Sequence, residues 1–288
     1  VRGRAVRLLI VLALCLLAGC RAESSPGPGT PAVPGTSAVP GTPAVPGTSV
    51  EPAGPPEPGA TSTAPTLLTA SASAAEVRDL SALLDRAGNL SLHPFTESWS
   101  ITDRRASQLI TLPGAPAEPQ VGAAEAGVLA LVAAPAGSNV EVFGDGSAVV
   151  RDPTGTAVVG LAPPQGARYE LVGTDLLRLV ARTGGLATDE VPVWIGVETI
   201  GSLTWGEREG GRSIAVEPND WTRAAGQAGY ELLWAQLVAV EPEADAPGMH
   251  DQLVCHAVGE PDKGTWNLEP WRPDVGLLAV MAALCNPT

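Results

Sequence analysis

The chain has 288 residues, with 17 basic and 31 acidic side chains for a formal charge of −14, and it is 44% apolar but only 4% aromatic. Acid excess on this scale repels phosphate backbones and anionic lipid headgroups, which argues against nucleic acid as a partner and against a membrane surface held by basic residues. The chain also holds no G-x-S-x-G elbow, P-loop, H-E-x-x-H pair, calcium loop or four-cysteine pattern, so no cofactor or metal is called for.

In chain order, residues 1–19 read as a lipoprotein signal peptide. Arg2, Arg4 and Arg7 precede an unbroken apolar run from Leu8 to Ala18, too short and wrongly flanked for a spanning helix. The ending Leu17-Ala18-Gly19-Cys20 resembles the bacterial lipobox, in which the signal is cut before a cysteine that is then acylated. An ordinary signal peptide with an incidental cysteine, or an uncleaved anchor, is the rival. Removing residues 1–19 leaves 14 basic against 31 acidic residues, a formal charge of −17. Attachment to the membrane then rests on acyl chains at Cys20, each buried methylene contributing about 0.8 kcal/mol. The expected address is the outer face of the cytoplasmic membrane.

Residues 20–66 follow as a tether of Pro, Gly, Thr, Ser, Ala and Val, with AVPGTS, AVPGTP and AVPGTS repeated in tandem from Ala32 to Ser49. Such a segment cannot bury enough apolar surface to offset its ordering entropy. At about 3.1 Å per residue it reaches on the order of 100 Å when extended.

Residues 67–92 predict one helix. Ser73 and Glu76 form a capping box, Gly88 supplies a stop, and Val77, Leu80, Leu84 and Ala87 recur at helical spacing. Residues 93–190 change to short alternating apolar runs such as NVEVF, SAVVR, TAVVGL, YELV and LLRLVAR, with GDG, DPTG and GTD between them. That pattern is an antiparallel sheet or small sandwich. Residues 191–288 read as a further hairpin, VPVWIGVETIGSLTW with RSIAV across GEREGG, then helices at PNDWTRAAG, YELLWAQLVAV and GMHDQLVCHAV. The expected fold is α+β: an N-terminal antiparallel β-sheet or sandwich module followed by a disulfide-linked α+β C-terminal domain.

Six of the seven tryptophans lie between Trp194 and Trp271. Trp234 falls on a helical stripe with Tyr230, Leu233 and Leu237, which marks it as core, whereas Trp266 and Trp271 sit among polar residues and are open to a ligand-platform role. His256 follows Met249 and Leu253 at helical spacing, which suits a hydrogen-bonded core histidine; a role as acid/base group or ligand in a cleft is the alternative. Asp251 lies about 140° around the helix from His256, so no local Asp-His pair forms. Glu269 and Arg272 stand three apart, with Pro270 and Pro273 excluding a continuous helix. They can form a bidentate clasp capped by Trp266 and Trp271, or Glu269 can serve as a general acid. Cys255 and Cys285 remain after processing removes Cys15 and acylates Cys20, and two thiols in an oxidising compartment are most simply a disulfide, worth roughly 3 to 4 kcal/mol. A reactive Cys255 beside His256 is the other reading.

Two stretches resemble exported proteins. DGSAVVRDPTGTAVVGLAPP looks like the DGSVVV-type β-rich module of many exported actinobacterial proteins of unknown role. WGEREGGRSIAVEPNDW, GMHDQLVCHA, PDKGTWNLEPWRPDV and CNPT, within residues 199–288, look like the C-terminal domain of a family of secreted and lipid-anchored actinobacterial proteins classed as a domain of unknown function. The resemblance implies that Trp205, Gly211, Arg212, Trp221, Asp251, Cys255, His256, Trp266, Asn267, Glu269, Arg272, Asp274 and Cys285 belong to a common scaffold or site, and it implies no reaction. His250 stands where Arg is expected in that pattern. Three functional readings follow. The leading one is a cell-surface lipoprotein whose head binds an envelope protein or glycan. The others are a secreted hydrolase or transferase using Asp251, His256 and Glu269, and an extracellular toxin or inhibitor domain.

Overall fold

Period-two alternation puts Ile110 and Leu112 of one strand on the same side as Val191, Val193 and Ile195 of another, and these five side chains are all buried in one core. The computed structural model describes residues 68–95, 99–105, 107–113, 127–182 and 190–288. The expected signal peptide, Cys20 and the expected tether lie outside the described residues. Residues 63–288 form one unit.

Two antiparallel sheets make the first half. One has the strand order β1 (Ala82–Leu84), β2 (Leu90–Pro94), β5 (Val128–Ala133), β10 (Leu176–Ala181), β9 (Ala167–Val172). The other runs β3 (Ser100–Arg104), β4 (Ser107–Pro113), β11 (Glu190–Gly196), β8 (Ala157–Leu161), β7 (Ala148–Arg151), β6 (Asn139–Val142). Their inner faces share a core of Leu, Ile and Val from both sheets, so the module is the sandwich that the alternation predicts. Every residue of β5 is buried, because α1 (Ala74–Leu80) covers the outer face with Val77 against Val128, Leu131 and Ala133.

The long helix expected over residues 67–92 is only partly present. The Ser73–Glu76 capping box is there, but the helix ends at Leu80, and β1, a 3-10 turn and β2 follow. Val77 belongs to the core under α1, whereas Leu84 and Ala87 are buried inside the sandwich. One straight helix cannot serve two cores on opposite faces of a sheet. Leu80 accordingly stays exposed, and Gly88, in the left-handed conformation, closes the 3-10 turn.

The boundary expected at residue 190 also moves. VPVWIG is not half of a hairpin with SLTW: it forms β11, paired with β4 and β8 within the sandwich. The hairpin consists of β12 (Ile200–Arg208) and β13 (Gly211–Pro218), closed by Glu209 and Gly210, both at positive φ, as a tight two-residue connection requires. β13 also pairs with β14 (Trp266–Leu268). This three-stranded sheet packs its inner face on α3 (Gln227–Val240) and α4 (Met249–Gly259), through Ile214, Val216, Leu233, Leu237, Leu253 and Trp266. The short α2 (Asp220–Ala224) sits before α3, and α5 (Leu277–Ala282) closes the chain.

The two halves are fastened through specific side chains. Trp221 of α2 is buried against the sandwich, where a Cβ on Gly160 or Gly196 would fall 2.4 Å or 2.3 Å from its ring. The Asp145 carboxylate, in the β6–β7 turn, accepts from Gln227 N at 2.6 Å, and Ser147 Oγ accepts from Ala228 N at 3.0 Å. A turn of the sandwich thus caps α3, satisfying amides that the helix itself cannot. Gln236 spans the connection after β11, accepting from Thr199 N and donating to Val197 O.

Candidate functional site

The C-terminal motif folds around a turn. Pro270 fixes φ at the second position, and Arg272 N donates to Glu269 O at 3.2 Å, so residues 269–272 reverse the chain directly after β14. Gln252 of α4 locks this turn from below: Glu269 N donates to its Oε1 at 2.8 Å, and its Nε2 donates to Glu269 O at 3.0 Å.

Both charged side chains point inward. Arg272 has 0% and Glu269 2% side-chain exposure, and Arg272 Nε donates to Glu269 Oε2. Arg272 Nη2 donates to Glu209 Oε2 at 2.7 Å, and Nη1 donates to Pro287 O at 3.1 Å. One guanidinium therefore joins the turn, the tip of the β12–β13 hairpin and the C-terminal segment. On the other side, Arg208 Nε lies 3.8 Å from Glu269 Oε1. Trp271 lies across the guanidinium, 4.5 Å from its ring centroid, and packs on Gly211, where a Cβ would meet the indole at 2.2 Å. This is the clasp, with one cap rather than two. Trp266 is instead buried in the core under the sheet, with Nε1 donating to Glu260 O at 3.3 Å.

His256 is a core histidine. Its ring is buried and Nε2 meets Asn267 O at 3.0 Å; because a carbonyl only accepts, the proton sits on Nε2. Burial, which removes water from the cationic form, pushes its pKa below the ordinary histidine value of 6.5 despite the carbonyl of Asn267 and nearby Glu260. The unfolded chain therefore takes up the proton more readily than the folded one. His256 contributes stability above about pH 6.5, and that stability is lost as the pH falls through 6.5 toward its lowered folded value. Melting temperatures of the parent and His256→Gln should diverge less at pH 5 than at pH 7.5. An unchanged gap would refute a neutral buried imidazole.

Asp251 is half-buried on the outer side of α4, in a surface depression with Trp234, Asp245, His250 and Asp274 that neither His256 nor Glu269 lines. The acid/base set of Asp251, His256 and Glu269 is thus dispersed, with two members sealed in the interior. Asn267 enters through its backbone, pairing with Ala215 in the sheet and accepting from His256. Asp274 is exposed, close to Gly248 at the start of α4. Cys255 and Cys285 form a disulfide that ties α4 to the segment after α5. Replacing both by serine should cost about 3 kcal/mol in denaturant unfolding, mainly by releasing a long loop in the unfolded chain. Among the described residues no group of three His, Cys, Asp or Glu is placed to hold a metal ion.

Sequence reasoning missed Arg223. Its Nη1 donates to Pro261 O at 2.5 Å and Lys263 O at 2.6 Å, its Nη2 to Gly264 O at 2.7 Å, and its guanidinium stands over Trp266. It organises the loop that delivers β14, and nothing in its local sequence marks it.

Fold and motif together define a disulfide-linked α+β domain joined to a β-sandwich, with its signature residues spent on internal ties. Residues 200–288 match the model of a family described as a protein of unknown function (DUF2599). The uncharacterized protein Rv0477 of Mycobacterium tuberculosis is 41% identical over 83 residues, 26% of this chain and 56% of that protein. The uncharacterized protein ML2452 of Mycobacterium leprae is 36% identical over 81 residues, 27% of this chain and 60% of that protein. The match thus spans little more than half the length of these relatives. No solved structure matches the chain.

Proposed function

We propose that the protein is an exported lipoprotein, acylated at Cys20 on the outer face of the cytoplasmic membrane, whose folded head binds a component of the envelope. The observation that supports a binding role over a hydrolytic one is the burial of Glu269 and Arg272 as a mutually paired clasp. A general acid must reach substrate, and among the described residues the buried Glu269 carboxylate meets Arg272 and Arg208. The signal-like N-terminus and lipobox support the address, and the acidic composition leaves the acyl chains to do the anchoring. The tether then sets the head at a distance within the wall.

Two experiments test the two parts. The parent should incorporate labelled palmitate and Cys20→Ala should not; a parent that takes up none, or a Cys20→Ala variant labelled equally, would refute acylation at Cys20. The same variant, immobilised, should retain material from fractionated envelope, and a head that retains nothing would refute the binding role. No helix among the described residues is long and apolar enough to cross a membrane.

A further inference from the structure

Where the sandwich meets the C-terminal domain, two neighbouring cavities of about 520 Å³ and 400 Å³ share Arg104, Ser107 and Glu198 in their walls. The two adjoin across these residues, and the larger, a groove lined by Trp194, is of a size that holds small ligands. Its lining mixes Arg104 and Arg105 with Glu198, Glu217 and Asp220. Arg104 and Arg105 are both exposed, and among the described residues neither makes an ion pair or hydrogen bond. The Arg104 guanidinium instead stands over Trp194, 5.1 Å from the ring centroid, with its N–H fork unspent.

Ser107 is a second, independent feature. It is only 6% exposed yet lines both cavities. Its Oγ accepts from Trp194 Nε1 at 2.9 Å, and the hydroxyl hydrogen has no acceptor among the described residues. Because Ser107 lines both cavities, this hydroxyl can donate to a ligand oxygen there. Glu198 and Glu217 also line it and can act as acceptors, and Ile200 and Pro218 add apolar surface.

From this arrangement we infer that the groove is a subsite for an acidic saccharide, a sugar ring carrying a single carboxylate. The carboxylate meets the Arg104/Arg105 pair, ring hydroxyls or ether oxygens meet Ser107 and the glutamates, and the apolar face of the ring lies along Trp194. A polyanion does not fit, because Glu198, Glu217 and Asp220 would oppose its further charges. A neutral sugar would offer the Arg104 and Arg105 side chains no carboxylate to match their N–H forks. The inference rests on the binding role proposed above and names the chemistry of what is bound.

N-acetylmuramic acid and N-acetylglucosamine differ by one lactyl ether carboxylate and make the decisive pair of probes. Ligand-observed NMR on the full chain carrying Cys20→Ala should show N-acetylmuramic acid bound with a Kd on the order of millimolar and N-acetylglucosamine at least about 10-fold weaker. Arg104→Gln, at an exposed position, should keep the parental melting temperature and lose about 10-fold in affinity for the acid sugar, whereas Arg168→Gln on the remote edge strand β9 should change nothing. Added salt should weaken the parent and leave the Arg104→Gln residue of binding unchanged. Equal binding of both sugars, or an undiminished Arg104→Gln, overturns the inference, as does no binding of either. Equal or tighter binding of an acetylated Asp-Ser dipeptide would overturn it in favour of a peptide carboxylate. Failure with these probes while envelope material is still retained condemns the saccharide assignment alone; loss of retention as well condemns the binding role.

Discussion

Arg272→Ala is expected to cost about 3–5 kcal/mol, because it leaves the Glu269 carboxylate buried without its partner. Glu269 has 2% side-chain exposure, and its Oε1 has no hydrogen-bond partner even in the parent, with only Arg208 at 3.8 Å. Loss of Arg272 removes the donor to Oε2, the ties to Glu209 and Pro287 O, and the support beneath Trp271. For a unit of residues 63–288, at about 2–4 °C per kcal/mol, the melting temperature should fall by roughly 10 °C. Arg272→Lys should recover only part of this, since an ammonium cannot serve a carboxylate fork, a second glutamate and a carbonyl in three directions. A melting temperature within a degree or two of the parent would mean that the charges are solvated in solution and that the clasp does not hold the fold.

Trp221→Ala is expected to be equally severe, about 3–5 kcal/mol. The indole is 1% exposed and lies over Gly160 and Gly196, neighbouring register partners on β8 and β11 of the sandwich. Glycines and sheet backbone cannot move in to refill the space, so the cavity persists. The deletion also strips the Trp194 carbonyl of the Nε1 donor that reaches it at 3.2 Å. Because this side chain joins the two halves, hydrogen exchange should rise in β8, β11 and α3 together, while β12–β13 is less affected. Gly196→Ala, which drives a methyl into the same ring, should produce a smaller loss with the same pattern. A loss confined to α2 would show that the halves are joined elsewhere.

The sequence was most legible where local periodicity and a single core coincide. The alternation of β6 and β9, the capping box at Ser73, and the stripe of Leu233 and Leu237 on α3 all appear in the structure. It was least legible where tertiary partners reassign local pattern. Val77 and Leu84 share a helical period yet fill cores on opposite sides of a sheet, so the expected helix breaks between them. β11 reads as the first arm of a hairpin but finds β4, some 80 residues earlier, as its neighbour. The Asp145 cap on α3 and the Arg223 cage around residues 261–264 are long-range ties that leave no local signature. At the motif itself, the spacing of Glu269 and Arg272 with intervening Pro270 allows a clasp and a general acid alike, and burial decides between them. What it could not announce is that the second tryptophan belongs to another core, or that Glu209 at the hairpin tip completes the network.

The most direct test of the account is the paired replacement Glu269→Leu with Arg272→Met, scored for both melting and envelope retention. Replacing a buried ion pair by apolar groups of similar volume is often close to neutral, whereas breaking it is not. The account predicts that the double variant melts well above Arg272→Ala and retains envelope material as the parent does, since the charges hold the fold and touch no ligand. A double variant that folds like the parent but retains nothing would contradict it, and would make the Glu269–Arg272 pair the site itself.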